Sequence, residues 1–547
     1  MCRTVTRGTE RPSMPMEHFR VVFEPDGLAV SVHRGATLLE AAGLAGIILT
    51  TPCGGKGTCG KCALTLRPSG ERVLACQYRI QSDLTVTVPQ ESRFYEHKIL
   101  TEGADHGRQV NPTVAGRYRA AVGSGEILGL AVDIGTTTVV AKLIDMTDGR
   151  SLGTAAVLNP QTRLGDDVIS RISHGQTADG LAEMHNVIID CVNGLTDRLC
   201  RGQNVNSSAI YEACIVGNTT MNHIFLEFPV EQLGRAPYRA HSVEARDVAP
   251  DDLHLHMNPA GNVHCVENIA GFVGADTTAV ALALDVDRIT DTVLVVDIGT
   301  NGELVLGTAN HVCAASCAAG PALEGARIKQ GSRAVDGAIE AVVVEDGDLA
   351  LDVIGTAVPQ SICGSGLIDA VAVLCELGIV DASGRFVERE ALGDRLPAAL
   401  FSRLAESDGQ PAFVLAFDER QGGPRVSLTQ RDVREVQLAK GAIRAGISIL
   451  LAKLAIADAD IDRVLLAGAF GNYIRPRSAV RMGLLPDVPL DRIHFVGNAA
   501  ASGAQMLLID DEYRVRARKL ARRIEYVEIA HEKGFADVFA DAMMLRP

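Results

Sequence analysis

The chain has 547 residues, of which 47% are hydrophobic and 22% charged, as is usual for a globular protein of several domains. Its formal net charge of −15 argues against broad binding to nucleic acid or to an anionic membrane surface. The sequence contains neither the uninterrupted apolar run of a membrane-spanning helix nor the apolar core of a secretory signal. We therefore expect a cytoplasmic protein whose 13 cysteines are reduced thiols.

Residues 17–90 have the pattern of a small α+β domain, preceded by an expected disordered extension at 1–16. Two runs that alternate apolar and polar residues are separated by the turn signal EPDG, which predicts a hairpin. Thr37 is followed three residues later by Glu40, the spacing of a capping box at the start of a helix. The expected strands are His18–Phe23, Leu28–Val32, Ala63–Leu66 and Leu84–Val88.

Four cysteines in this segment have the spacing C-x5-C-x2-C-x13-C, namely Cys53, Cys59, Cys62 and Cys76. Four converging thiolates can hold the two irons of a [2Fe–2S] cluster, although the first gap is one residue longer than the plant-type spacing. The intervening GGKGT loop allows backbone N–H groups to approach the sulfides. The alternatives are a zinc site, which more often shows two C-x2-C pairs, and four unrelated thiols.

The rest of the chain contains an internal repeat. Residues 91–126 are polar and without sustained periodicity, which predicts a linker. After them, LGLAVDIGTTT from Leu128 and LVVDIGTNGE from Leu294 are both apolar strands that end in Asp-Ile-Gly-Thr. A repeat this long predicts two related halves, 127–290 and 291–547. Residues 127–205 are a candidate separate middle domain within the first half.

Each Asp-Ile-Gly-Thr turn would place a carboxylate and small residues at the mouth of a sheet. Gly135 and Gly299 allow the backbone to approach a phosphate, and Asp133 and Asp297 can hold Mg²⁺ through water. Further donors are offered by Thr136, Thr137, Thr138, Thr300 and Asn301. The sequence contains neither a Walker-A motif nor a G-x-G-x-x-G after a strand. The prediction of an ATPase therefore depends on this pair of turns. The alternative is two structural turns.

Three further segments are candidates for a role near a nucleotide. The glycine-rich runs LLAGAFG (Leu465–Gly471) and ICGSGLID (Ile362–Asp369) allow close backbone approach. The helix that begins at Thr429 carries Glu435 and Lys440, which either reach the nucleotide or lie on a solvated face. The basic run Tyr513–Arg523 predicts a solvated helix face.

Several segments together resemble the reductive activators of corrinoid-dependent methyltransferases and of the corrinoid/iron–sulfur protein. The likeness covers nearly the whole chain. It implies an α+β β-grasp ferredoxin-like domain followed by an α/β domain of the acetate-and-sugar-kinase, heat-shock-protein and actin (ASKHA) superfamily, with two ribonuclease-H-like halves. The segments are PCGGKGTCGKC (Pro52–Cys62), NPQTRLGDDVISRI (Asn159–Ile172), VGNTTMNHIFL (Val216–Leu226), VVDIGTNGE (Val295–Glu303), AAGPALEGARIKQG (Ala318–Gly331) and FVGNAA (Phe495–Ala500).

The resemblance implies an ATP-dependent reductive activase. Such an enzyme returns a Co(II) corrinoid protein or methyltransferase to Co(I), with electrons from an upstream donor passing through a [2Fe–2S] cluster and with ATP and Mg²⁺ as cofactors. A homodimer is one candidate assembly. The alternatives are a ferredoxin-type component of an oxygenase or dehydrogenase, and an ATP-driven activator of another metalloenzyme.

The resemblance also assigns residues to motifs, with both motif aspartates as the predicted catalytic residues. The first phosphate motif is Asp133, Gly135, Thr136 and Thr137, and the second is Asp297, Gly299, Thr300, Asn301 and Gly302. The adenosine motif is Gly468 and Gly471, where Ala469 and Phe470 interrupt the glycine pair that the family usually has.

Overall fold

The computed structural model describes residues 17–25, 27–45, 47, 49, 62–89, 113–355, 358–418, 423–468 and 474–546. The predicted extension at 1–16 and most of the predicted linker lie outside the described residues. Within these ranges, every helix is too short or too polar to cross a bilayer.

The N-terminal domain is a five-stranded sheet with one helix against it, in the order β2-β1-β5-β3-β4. The predicted hairpin forms as β1 and β2, and the predicted cap forms because the Glu40 N–H donates to Thr37 Oγ1 over 3.1 Å. This mixed sheet confirms the predicted β-grasp type. The elements are β1 (His18–Glu24), β2 (Leu28–His33), α1 (Leu38–Leu44), β3 (Ala63–Arg67), β4 (Arg72–Leu74) and β5 (Leu84–Thr87).

The end of the predicted linker is a helix, α2 (Thr113–Val122). Its Val114 and Ala115 are buried in the core between the two halves of the following domain. Residues 91–126 are therefore not a linker throughout. The helical spacing of Val114, Tyr118 and Val122 was a signal for this helix, but it covers little more than two turns within a polar segment.

The first half is a six-stranded sheet in the order β10-β11-β9-β6-β7-β8. Its strands are β6 (Leu128–Ile134), β7 (Thr138–Asp145), β8 (Ser151–Leu158), β9 (Ile210–Gly217), β10 (Arg246–Val248) and β11 (Asn262–Cys265). Its helices are α3 (Val168–His174), α4 (Ala178–Gln203), α5 (Thr219–Phe225) and α6 (Ala275–Ala283). The long helix α4 covers the outer face of this sheet, where both contribute to one apolar core.

The second half has a matching sheet in the order β22-β21-β12-β13-β14-β23 and two additional three-stranded sheets. Its strands are β12 (Val293–Ile298), β13 (Gly302–Gly307), β14 (Val312–Cys317), β15 (Ala338–Glu345), β16 (Asp348–Val353), β17 (Ser361–Ile362), β18 (Leu404–Ser407), β19 (Gln410–Phe417), β20 (Pro424–Thr429), β21 (Arg463–Ala467), β22 (Ile493–Gly497) and β23 (Glu525–Tyr526). Its helices are α7 (Gly364–Glu376), α8 (Arg389–Leu392), α9 (Ala398–Ser402), α10 (Gln430–Lys453), α11 (Pro476–Arg481), α12 (Ala499–Ile509), α13 (Asp511–Arg523) and α14 (Phe535–Met543).

The internal repeat occupies the same place in both sheets. In each, the repeat strand pairs antiparallel with the next strand and parallel with a later one, β9 for β6 and β21 for β12. Asp133 lies opposite Val216 of β9, and Asp297 lies opposite Ala467 of β21. The two aspartates are thus equivalent positions near the carboxyl ends of the central strands, as the predicted two-half fold requires.

Helices α6 and α12 hold the two sheets in a fixed relation. Both helices belong to the apolar core that fills the space between the sheets. They approach so closely that a Cβ on Gly503 of α12 would lie 2.2 Å from the carbonyl oxygen of Ala279. A larger residue at Gly503 would therefore separate the helices and, with them, the two halves.

The basic run Tyr513–Arg523 forms α13, but its predicted solvated face is only part of the helix. Arg514 and Arg516 are buried. Arg514 Nη2 lies 2.8 Å from Oε1 of Glu212, a fully buried carboxylate on β9 that also accepts a hydrogen bond from Tyr118 of α2. Burial and the nearby Glu212 carboxylate raise the pKa of Tyr118. This buried group connects the end of the chain to the first half.

We expect Arg514→Ala to lower the free energy of unfolding by about 3–5 kcal/mol, because it leaves the Glu212 carboxylate buried without a cation. Urea unfolding followed by circular dichroism measures the change. Lys519→Ala, on the exposed face of the same helix, is the matched control and should differ from wild type by less than about 0.5 kcal/mol. Equal stability of the two variants would contradict the structural role of this ion pair.

Candidate functional site

The ends of β6 and β12 open onto one cleft of about 340 Å³ between the two halves. The structure brings together most of the predicted nucleotide residues, which come from positions far apart in the chain. Those that line the cleft are Asp133, Gly135, Thr136, Thr137, Asp297, Gly299, Thr300, Asn301 and Gly468. Thr138 also lines it, as do Gly364 and Ser365 from the predicted ICGSGLID segment.

Of the predicted glycines, Gly302 is not among the lining residues. Gly302 begins β13 and faces the other way, since a Cβ there would lie 2.9 Å from Ile443 of α10. Gly471 lies outside the described residues. Gly468 has a φ of +85°, and a Cβ on it would lie 2.3 Å from Asp297 Oδ1, so a side chain at this position would displace the aspartate.

Two threonine hydroxyls join the paired turns. Thr137 Oγ1 and Thr300 Oγ1 lie 2.9 Å apart across the cleft. The Glu324 carboxylate is within hydrogen-bond distance of both, 3.1 Å from Thr137 and 2.9 Å from Thr300. Glu324 ends a short 3-10 helix, Pro321–Glu324, in the second half. Polar side chains from the two halves therefore converge at this point, with Glu324 as their shared partner.

The first turn is supported from behind by buried polar side chains. Asn159 Nδ2 donates to the Gly135 carbonyl over 2.8 Å, and Asn218 Nδ2 donates to Thr136 Oγ1 over 2.9 Å. Arg171, fully buried on α3, donates to the Thr136 carbonyl over 2.6 Å. These donors fix the direction in which the turn points. They also account for two of the segments that carry the family resemblance.

The floor of the cleft is a cluster of acidic side chains. Burial and then the charge of Asp276 raise the pKa of Asp133 to about 7 and that of Asp297 to about 7. Burial also raises the pKa of Asp276 to about 6. Asn498 Nδ2 donates to Asp133 Oδ2 over 3.0 Å and stabilises its charged form. Carboxylate oxygens are ligands that Mg²⁺ prefers, but the described residues contain no group of three or more such side chains arranged to hold a metal ion directly.

In the N-terminal domain, two of the four predicted cluster ligands lie side by side. The sulfurs of Cys62 and Cys76 are 3.4 Å apart and not joined as a disulfide. A tetrahedral metal with metal–sulfur bonds of about 2.3 Å would hold two sulfurs about 3.8 Å apart, close to this separation. Cys53 and Cys59 lie outside the described residues. The described half of the ligand set therefore fits a shared metal.

Comparison with known proteins places the chain in a family. The model of the RACo middle region matches residues 128–289, and the model of the C-terminal domain of RACo, the ASKHA domain, matches residues 291–547. The corrinoid activation enzyme RamQ of Eubacterium limosum is 32% identical, with 95% of this chain and 98% of that protein covered. The chain belongs to the RACo family of corrinoid activators.

Two further relatives agree with this assignment. A solved structure of a reductive activator for corrinoid, iron–sulfur protein is 30% identical and superposes with a TM-score of 0.69. That match covers 96% of this chain and 98% of the other. The [Co(II) methylated amine-specific corrinoid protein] reductase of Methanosarcina barkeri is 25% identical over 72% of each chain. This RACo-family chain is therefore an enzyme with an ASKHA-type domain.

Several polar residues that line the cleft of this activator are given no role by the sequence analysis. Three of them are Asp276, Glu324 and Asn498, which contact the predicted motif residues or carry a charge that acts on them. The available signal was a polar residue within a glycine-containing segment, GADTT, PALEG and VGNAA respectively. For Lys440 the prediction of a role near the nucleotide, or on a solvated face, was wrong. The side chain is buried and donates to the Met544 carbonyl, so it does not reach the cleft.

The acidic floor makes the stability of the free activator depend on pH. The raised pKa values of Asp133 and Asp297 mean that the folded chain holds protons that the unfolded chain has lost between about pH 4 and pH 7. Stability should therefore fall as pH rises through this range, in buffer without metal or nucleotide. Asp276→Asn removes the charge that both aspartates feel and should raise the free energy of unfolding at pH 8 by about 1–2 kcal/mol.

Urea unfolding at pH 5 and pH 8 measures this effect, which should be much smaller at pH 5. Asp252→Asn, on an exposed turn of the same half, is the control and should leave the pH dependence unchanged. Identical pH profiles for Asp276→Asn and wild type would show that the carboxylates do not interact as described.

Proposed function

We propose that this protein is an ATP-dependent reductive activator that returns an inactive Co(II) corrinoid protein or methyltransferase to Co(I). In this proposal electrons pass from an upstream donor through an N-terminal [2Fe–2S] cluster. The observation that carries the ATP part is the meeting of two Asp-Ile-Gly-Thr turns in one cleft, with Thr137 and Thr300 in contact. The family relatives named above support the corrinoid part.

The cleft residues would act on ATP as a two-sided clamp. The turns at Gly135 and Gly299 offer backbone N–H groups, and Thr137 and Thr300 exchange their contacts with Glu324 for phosphate oxygens. Asp133 and Asp297 would orient the water shell of Mg²⁺, whose charge would in turn lower their raised pKa values. Because one turn belongs to each half, a nucleotide bound by both turns would draw the halves together.

The cysteine loop would hold the redox group. Cys53, Cys59, Cys62 and Cys76 supply four thiolates, and a [2Fe–2S] cluster held by them would supply one-electron transfer. Each 59 mV of uphill transfer of one electron costs about 1.4 kcal/mol. Closure of the halves on ATP can contribute this energy only if the nucleotide binds the closed form more tightly than the open form. In this proposal the energy for uphill electron transfer therefore comes from closure of the nucleotide cleft, and the cluster only carries the electron.

Partners follow from the same proposal. We propose that the protein acts in the cytoplasm on a corrinoid protein or corrinoid-dependent methyltransferase and receives electrons from a separate donor. The net charge of −15 speaks against nucleic acid as a partner. A homodimer remains one candidate assembly.

The ATP part is tested with Asp297→Asn, which keeps the size of the side chain but removes its charge. Under anaerobic conditions with a low-potential reductant and a Co(II) corrinoid partner, we expect ATP-dependent formation of Co(I) to fall by about 100-fold or more. The Co(II) and Co(I) absorption bands report the reaction. Asp190→Asn, on the exposed face of α4, should retain wild-type activity. Wild-type activity of Asp297→Asn, or reduction that needs no ATP, would overturn the proposal.

The cluster part is tested with Cys76→Ser. Anaerobically purified wild type should contain two irons and two acid-labile sulfides per chain and give the paramagnetic signal of a reduced [2Fe–2S] cluster. Cys76→Ser should lose most of both while it still binds ATP, since the cleft lies in another domain. Cys191→Ser, at a half-buried thiol on α4, should keep the full iron content. A wild-type protein without sulfide, or with zinc, would refute the cluster.

A further inference from the structure

A second cavity of about 360 Å³ lies in the second half, and none of its lining residues belongs to the nucleotide cleft. Lys440, Arg444 and Ser448 line one side, at the four-residue spacing that places them on the same face of α10. Arg546, beyond the end of α14, and Gly483 also line it, and a Cβ on Gly483 would lie within 3.6 Å of both Lys440 and Arg546. Three cationic side chains therefore converge on one small space.

Lys440 is the most unusual of the three, because only 1% of its surface is exposed. Its ammonium group donates one hydrogen bond, to the Met544 carbonyl over 2.5 Å, and has two further hydrogens. Gly483 has a φ of +75°, and a Cβ there would lie 3.1 Å from Lys440 Nζ. Burial, Arg546 and Arg444 lower the pKa of Lys440 to about 7. No carboxylate that the structure describes forms an ion pair with this ammonium.

The two arginines share one partly buried acidic partner, Asp458, whose side chain is 20% exposed. Arg444 Nη2 lies 2.9 Å from Asp458 Oδ1, and Arg546 Nη2 lies 3.9 Å from Asp458 Oδ2. Arg546 also approaches Asp487, whose side chain is 75% exposed, over 3.5 Å. The other nitrogen of the Arg444 fork, Nη1, is buried and has no hydrogen-bond partner among the described residues.

Asp541, from α14, is the one carboxylate among the lining residues that the structure describes, and it is exposed. Among the described residues that line the cavity, Asp541 and Ser448 carry side-chain acceptor oxygens, and neither is hydrogen-bonded to Lys440 Nζ or Arg444 Nη1. A buried donor without a partner costs about 1–3 kcal/mol, more when it is charged, and such groups in folded proteins usually meet a water or an ion. Convergent cations add mutual repulsion, which an anion between them would cancel.

We propose that this cavity is a binding site for a small oxyanion, a phosphate or carboxylate group, held between Lys440, Arg444 and Arg546. Its oxygens would accept the two unused hydrogens of Lys440 and the hydrogens of Arg444 Nη1, and Arg546 would add a third cation. Charge-assisted hydrogen bonds of this kind are about twice as strong as neutral ones. The site is independent of the nucleotide cleft, so this inference does not depend on the proposed function.

The test is thermal unfolding of the full chain with increasing inorganic phosphate, at constant ionic strength set with chloride. Magnesium and ADP are present throughout to occupy the cleft. A bound anion raises the unfolding temperature saturably. We expect that rise in wild type and an apparent phosphate affinity at least about tenfold weaker in Lys440→Met, since a hydrogen bond to a charged group contributes about 1.5–3 kcal/mol. Lys519→Met, an exposed lysine on α13, should respond as wild type does.

A parallel titration with acetate separates the two ligand classes, since the anion with the larger effect at equal concentration identifies the preferred group. Arg546→Gln is a second variant for the case that Lys440→Met does not fold, because its side chain is 41% exposed and its loss should disturb packing little. It should also weaken the phosphate response, whereas Arg477→Gln, 79% exposed elsewhere on the second half, should not. Absence of a saturable effect, or equal responses in wild type and both cavity variants, would overturn the proposal.

Discussion

The contact between Thr137, Thr300 and Glu324 is the interaction on which the rest of the account depends. It is the point where two strands from different halves deliver matching turns to one place. The close packing of α6 on α12, which Gly503 permits, sets the distance between the halves, and the buried Asn159, Asn218 and Arg171 set the direction of the first turn. Without these constraints the two turns would be separate loops on separate sheets.

The same arrangement buries several carboxylates in the cleft, which is electrostatically unfavourable. Burial disfavours the charged forms of Asp133, Asp276 and Asp297 at the junction of the halves, and the charge of Asp276 adds to this effect at Asp133 and Asp297. A cleft that is unfavourable when empty gains more when a magnesium ion and a nucleotide neutralise it. Relief of this electrostatic repulsion on ligand binding could change the relative position of the two halves. An electron transfer coupled to ATP would need such a change.

Much of the fold could be predicted from the sequence, because local signals and the fold agreed. The hairpin, the Thr37 cap and the paired Asp-Ile-Gly-Thr strands each depend on residues close together in the chain. The predictions were wrong or incomplete where a residue distant in the sequence determines the burial or the local structure. Arg514 is buried against Glu212, and α2 packs Val114 and Ala115 into the core between the halves. Nothing near these residues in the sequence reveals such partners.

The most direct test of the central claim is a calorimetric titration of Mg–ATP into the full chain and into Thr137→Val and Thr300→Val. If one nucleotide is clamped by both turns, wild type binds one ATP per chain and each substitution weakens binding by at least about tenfold, although the two threonines lie in different halves. Binding that is unchanged by either substitution, or no binding to wild type, would contradict the two-sided clamp.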